Sequence, residues 1–187
     1  MITLSDTILL DEMLKRKVSQ NEAFEFFDHL EGVEPQEIWG LWKGDELQTG
    51  HPLEGLLKTA NWYGKKFIDE EHVHPLLCER ENGNLFSVNP GMIPIAIPLT
   101  KVPKNILSAS LKVFRPLIKT NKSSARLRKV EFRGKISSAM IYDQKGIIDI
   151  FRKVNENTLL GIMDIKNIPT DKCYFFVLKR VKEDIPL

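Results

Sequence analysis

The apolar positions of the chain change period near residue 35. Before it, Ala23, Phe26, Phe27 and Leu30 recur at i, i+3, i+4 and i+7, one face of a helix. Ser19-Gln-Asn-Glu22 predicts the start of that helix: the serine hydroxyl accepts from the amide three residues on, and the glutamate carboxylate reaches back. Gly32 predicts its end. An earlier helix is expected over about Thr7 to Lys17, with acids toward its start and Lys-Arg-Lys at its end, the order that suits a helix dipole.

After Pro35 short strand-like runs take over. Ile38–Gly44, Trp62–Ile68 and Val73–Glu79 are expected strands, and His51–Asn61 is a helical crossing with Leu53, Leu56 and Leu57 on one side. Asn82-Gly83 predicts a hairpin turn, because that pair tolerates the positive φ of a type I′ turn, and Leu85–Val88 returns from it. A short helix carrying Leu107, Leu111 and Phe114 is expected after Lys101, disrupted by Pro116. Arg126–Phe132, Lys135–Tyr142, Thr158–Ile165 and Cys173–Val181 read as antiparallel strands. Ile147–Val154, apolar at 147, 148, 151 and 154, reads as one or two turns of helix. Eight or nine short strands with few helices predict a mainly β chain: a helical segment over residues 1–34, then one closed antiparallel β-barrel over 35–187. An eight-stranded barrel encloses either packed side chains or one small ligand.

Composition narrows the setting without naming an activity. With 187 residues, 42% hydrophobic and 28% charged, the balance is that of a soluble globular chain. The longest apolar run, Met92–Leu99, holds two prolines and is too short to span a bilayer. Two distant cysteines, Cys78 and Cys173, do not form a secreted disulfide framework, and the N-terminus carries no basic signal-peptide region, so cytoplasmic residence is expected. Charge is asymmetric: residues 1–95 hold 8 basic and 17 acidic side chains, residues 96–187 hold 19 and 8. Lys101–Val130 contains nine basic residues and no acid. Such a run faces anionic lipid or nucleic acid, or is a solvated face offset by the acidic first half. A weak contact of Lys101–Lys129 with an anionic membrane surface is the partner kept open; nucleic acid fits less well.

Gly40-Leu41-Trp42-Lys43-Gly44 is the most distinctive motif. Its glycines let the backbone bend or be closely approached, while the indole fills volume and needs a partner for its N–H. Trp62-Tyr63-Gly64-Lys65-Lys66-Phe67 is a second aromatic group for the same interior. With Thr49-Gly50-His51, these motifs resemble the bacterial GXWXG-domain family. The later residues Ala125-Arg-Leu-Arg, Phe132-Arg133-Gly134, Tyr142-Asp143, Asp149-x-Phe151-Arg152 and Leu160-Gly161-x-Met163-Asp164 resemble the domain of unknown function that usually follows it. The resemblance covers about residues 35–166; it departs at Gly146, where the family usually has proline. It implies a lipocalin-like or calycin-like barrel, built from a part over 35–95 and a part over 125–187, and carries no established activity or catalytic residue.

The polar members of these motifs are the candidate site. His51, Lys65, Arg133, Asp143, Asp149, Arg152 and Asp164 sit in apolar or glycine-rich surroundings. Converging inside a barrel, they would suit an anionic headgroup with an apolar tail: Arg133 and Arg152 as planar forks, Lys65 as a point charge. Trp42, Trp62, Tyr63, Phe67 and Tyr142 would supply the walls. A small hydrophobic or amphipathic anionic ligand is therefore the expected partner. The alternative is a hydrolase acting on a phosphorylated or acyl molecule, with His51 and Asp149 as acid–base pair and Arg152 stabilising negative charge. Asp149 and Arg152 could equally pair with each other on a helix. His72-x-His74-x-x-x-Cys78 offers a chelating pair, but Pro75 interrupts it and the rest of a tetrahedral set is absent nearby, so no metal is expected. No phosphate-loop, dinucleotide or nucleophile-elbow motif is present, and no cofactor is expected.

Overall fold

The computed structural model describes residues 4–93, 117–169 and 172–182. Among the described residues three named α-helices, α1 (Leu4–Leu14), α2 (Gln20–His29) and α3 (Leu56–Thr59), accompany ten strands. The strands are β1 (Gly40–Glu46), β2 (Trp62–Phe67), β3 (Val73–Glu79), β4 (Leu85–Val88), β5 (Lys119–Thr120), β6 (Ala125–Phe132), β7 (Lys135–Tyr142), β8 (Ile147–Asn155), β9 (Thr158–Ile165) and β10 (Tyr174–Arg180). The pairings run β2-β1-β10-β9-β8-β7-β6-β3, and β3 pairs again with β2, so eight antiparallel strands form a ring. The β3–β6 junction is its narrowest seam, a single pair, Val73 with Ala125, reinforced by the Ser124 amide on the Val73 carbonyl. β4 and β5 extend from β3 outside the ring. Among the described residues no helix is long and apolar enough to cross a membrane.

The two largest apolar clusters divide the sheet by face. One gathers residues from all eight ring strands, among them Trp42, Phe67, Val73, Leu127, Met140, Phe151, Leu159 and Phe176, so it occupies the inside of the ring. The other joins Leu10 and Met13 of α1 and Ala23, Phe24, Phe26 and Phe27 of α2 to Ala139, Ile150, Val154, Ile162, Phe175 and Val177. The N-terminal helices thus lie on the outer face of β7–β10. Phe24 and Phe175 meet edge to face with centroids 5.1 Å apart.

This double coverage corrects one expectation. Residues 147–154 are not a helix; they form β8, with Ile147 and Phe151 in the inner cluster and Ile150 and Val154 in the outer one. A strand buried on both faces loses the apolar–polar alternation that marks a strand in sequence. Three smaller differences have local causes. α1 begins and ends about three residues before the expected span, because Arg16 turns to pair with Glu22 and the Val18 amide bonds the Gln48 carbonyl. The Ser19 hydroxyl caps α2 by accepting from the Glu22 amide at 3.1 Å, but the Glu22 carboxylate goes to Arg16 rather than back to the cap. The first strand starts later than expected, because Glu34 and Glu37 cap a 3-10 turn over Pro35–Ile38. The short helix expected after Lys101 lies outside the described residues.

Candidate functional site

The GXWXG pentad builds one end of the ring. Gly40, at φ +113°, turns the chain from the 3-10 segment into β1, a conformation that favours glycine. The Trp42 indole then faces inward and donates to the Ile38 carbonyl at 2.7 Å. Phe67, Phe151 and Phe176 meet edge to face at 5.6 and 6.2 Å, filling the same region. The Arg180 guanidinium stacks on the indole at 4.2 Å and donates to the Trp39 and Glu37 carbonyls, sealing this end. Gly44 is where the Trp62 indole lies: a Cβ there would collide with its ring.

Toward the other end the interior becomes polar. In β2, Trp62, Lys65 and Phe67 all point inward while Tyr63 packs in a separate outer cluster. Strict alternation forbids this. The register shifts around Gly64 resolve it, since a bulge adds a residue and resets the facing of those after it. Lys65, 2% exposed, pairs with the fully buried Asp149 of β8 at 2.8 Å. Its ammonium also donates to the Pro75 carbonyl at 3.1 Å and lies 5.0 Å over the Phe176 ring. The Tyr142 hydroxyl stands 3.3 Å from Asp149 Oδ2 and 3.4 Å from Lys65 Nζ. Burial pushes the Asp149 carboxyl above its usual range, against the opposing pull of Lys65, and pushes the Tyr142 phenol well up. Asp149 Oδ1 has no hydrogen-bond partner; the Tyr174 phenol is pushed up by burial and by the Glu46 carboxylate beside it.

His51 stands next to this group without joining it. It is buried; its Nδ1 accepts from the Leu53 amide at 3.2 Å, its own amide donates to Glu54, and its ring meets Tyr174 at 5.7 Å. Burial lowers its pKa and keeps the imidazole neutral. Leu53, Leu57, Trp62, Met163 and Ile168 pack on the inner cluster yet are only half-buried, forming an apolar rim at this end.

The sequence candidates therefore separate. Trp42, Trp62, Lys65, Phe67, Tyr142 and Asp149 meet inside the ring, with His51 beside them through Tyr174. Arg152 does not: three residues from Asp149 on a strand, it points to the opposite face, buried against Phe27 and donating to the Phe132 carbonyl at 2.8 Å. The two cannot form the helical pair. Arg133 grips Asp28 of α2 on the outside with a 2.6 Å bond, Tyr63 faces outward under Lys43, and Asp143 is exposed 4.0 Å from Arg126. His72 binds Asp69 at 2.9 Å while His74 meets Ser87 at 3.1 Å, so the two imidazoles engage different partners. Of the basic run, Arg128 pairs with Glu71 and Lys129 with Glu34, each at 2.7 Å; Lys101, Lys104, Lys112 and Arg115 lie outside the described residues. Sequence reasoning missed Tyr174, Met163 and Arg180. The alternation Tyr174, Phe176, Leu178 was the available signal for the first.

A ring of antiparallel strands, sealed by a tryptophan at one end and polar toward the other, defines a small β protein made of two consecutive sequence parts. Residues 25–83 match the GXWXG protein family and residues 123–180 match a domain of unknown function (DUF4334). The chain is also similar to a solved structure, a protein from Thermomonospora curvata, at 31% identity and TM-score 0.71, covering 96% of this chain and 100% of that one. The chain belongs to this family of GXWXG domains followed by DUF4334. No curated protein matches it.

Proposed function

We propose that the ring closes into a lipocalin-like barrel whose interior binds a small hydrophobic or amphipathic molecule. The observation that carries this is the buried Lys65–Asp149–Tyr142 group with its unpartnered Asp149 Oδ1, set beneath a half-buried apolar rim. Buried polar atoms are nearly always hydrogen-bonded, and an orphan inside an apolar enclosure is where a ligand's polar end is held. Only one of the three cations expected at the headgroup is inside the ring, and Asp149 offsets it. The polar end of the ligand is thus recognised by hydrogen bonding rather than by net positive charge. His51, Asp149 and Arg152 do not converge, and the hydrolase reading loses its oxyanion group. Both cysteines are buried thiols without a disulfide, which suits a reducing cytoplasm.

The test is binding of Nile red, a neutral lipophilic dye, by the full chain. A blue-shifted, saturable rise in emission with sub-millimolar affinity is expected. Met163→Arg, which puts a charge on the rim at a half-exposed position, should abolish it at unchanged helix and strand content. Unaltered dye emission at saturating protein would refute the proposal.

A further inference from the structure

Among the described residues Lys65 is the one lysine that is buried, and the register shifts around Gly64 aim it into the ring. Its ammonium makes three hydrogen bonds of unequal length: to Asp149 Oδ2 at 2.8 Å, to the Pro75 carbonyl at 3.1 Å and to the Tyr142 hydroxyl at 3.4 Å. Aromatic rings wall it in, Phe176 at 5.0 Å, Trp62 at 5.7 Å and Tyr142 at 5.8 Å. Trp62 is itself half-buried, so one ring separates the ammonium from the apolar rim; half-buried Met163 stands in register with Asp149 on the neighbouring strand. Asp149 Oδ1 is an unused acceptor in the same group. A lysine desolvated among apolar groups, beside a carboxylate that can take its proton, is a nucleophile for a carbonyl carbon. Burial raises the Asp149 carboxyl, which therefore holds that proton more readily than an exposed acid.

On the premise that the interior binds an amphipathic molecule, we propose that Lys65 captures an aldehyde with an apolar tail as a protonated imine, with Asp149 as its counter-ion. The Asp149 carboxylate takes one ammonium proton. The freed nitrogen lone pair forms the C–N bond, and the carbonyl π pair moves to oxygen, which takes that proton back from the carboxyl. The nitrogen gives its next proton to the same carboxylate, leaving a carbinolamine whose hydroxyl the free Oδ1 accepts from. The nitrogen lone pair then forms C=N as the C–O bond breaks, and the leaving hydroxide takes the proton from Asp149 and departs as water. The net change is ammonium plus aldehyde to protonated imine plus water. Asp149 ends as a carboxylate beside a cation, so the buried charge stays paired, which a neutral adduct would not achieve.

The test treats the full chain with dodecanal and sodium cyanoborohydride at about pH 7, where surface lysines are held as ammonium. The reagent delivers hydride to the imine carbon and fixes the adduct as a secondary amine, which peptide mass spectrometry then locates. Lys65 should reach half-modification at an aldehyde concentration at least about tenfold below that of any surface lysine, because binding places the carbonyl against the amine. Excess Nile red should protect Lys65 and leave the surface lysines as reactive as before. If the dye binds but Lys65 reacts no more readily than the surface lysines, or reacts as readily with the dye in place, aldehyde capture is overturned while the binding function stands. If the dye does not bind, both fall.

Discussion

Lys65→Met is the sharpest perturbation of the interior. Methionine keeps the length and apolar stem of lysine but removes the ammonium that stands 2.8 Å from Asp149 and 3.1 Å from the Pro75 carbonyl. Asp149 is fully buried, so its carboxylate is left without a counter-charge in a low dielectric. Breaking a buried pair this way costs about 3–5 kcal/mol. For a chain of this size each kcal/mol moves Tm by about 2–4 °C, so thermal unfolding followed by circular dichroism should show a fall of about 6–20 °C near pH 8. Adding Asp149→Leu should recover most of that loss, because replacing both charges with apolar groups is often nearly neutral. The pH dependence has a definite sign. A carboxyl whose folded pKa is raised binds more protons folded than unfolded, so stability rises as pH falls through the raised value. Burial already raises Asp149 and Lys65 opposes it; without Lys65 the value climbs further, and the deficit of Lys65→Met should narrow between about pH 8 and about pH 6. A loss below about 2 °C, or a double variant no more stable than the single one, would refute a buried Lys65–Asp149 pair.

Gly44→Val drives a side chain into the Trp62 indole and should cost about 1–3 kcal/mol with a red-shifted tryptophan emission. Unchanged fluorescence would show that the indole does not lie over Gly44. Arg180→Ala removes a guanidinium stacked on Trp42 and its hydrogen bonds to two carbonyls, and should lower stability by about 2–3 kcal/mol in urea titrations. Burial lowers the His74 pKa, so the unfolded chain takes up a proton below about pH 6.5 that the folded one refuses. Stability should therefore drop from about pH 7 to about pH 5.5, less steeply in His74→Gln; Asp149 acts with the opposite sign, so the difference between variant and parent is the readout. Identical pH slopes in both proteins would exclude His74 as a source.

What could be read from sequence, and what could not, follows from local against non-local causes. α2 announces itself through Ser19 and the Phe26–Phe27 stripe, and β6, β7 and β9 through alternation and turn residues, all within a few positions of one another. β8 was hidden because helices cover its outer face, a fact stored in residues more than a hundred positions away. The same distance misled the choice of cations. Arg133 and Lys65 look alike in their glycine-rich motifs, yet Asp28 of α2 draws the first outward and the bulge at Gly64 turns the second inward. On a helix, Asp149 and Arg152, three apart, would share a face; on a strand that spacing sends them to opposite sides of the sheet. The interior role of Trp42 was clear from its flanking glycines, whereas Arg180, which completes its seal from the far end of the chain, left no local trace.

The five methionines offer the most direct test of a binding interior, since Met140 and Met163 face into the ring and Met13 lies in the outer cluster. With 13C-methyl methionine labelling, titration with Nile red should shift the Met163 methyl resonance, and Met140 with it, while Met13 stays in place. Resonances of both inner methionines that do not move at saturating dye, or movement confined to Met13, would contradict a ligand held inside the ring.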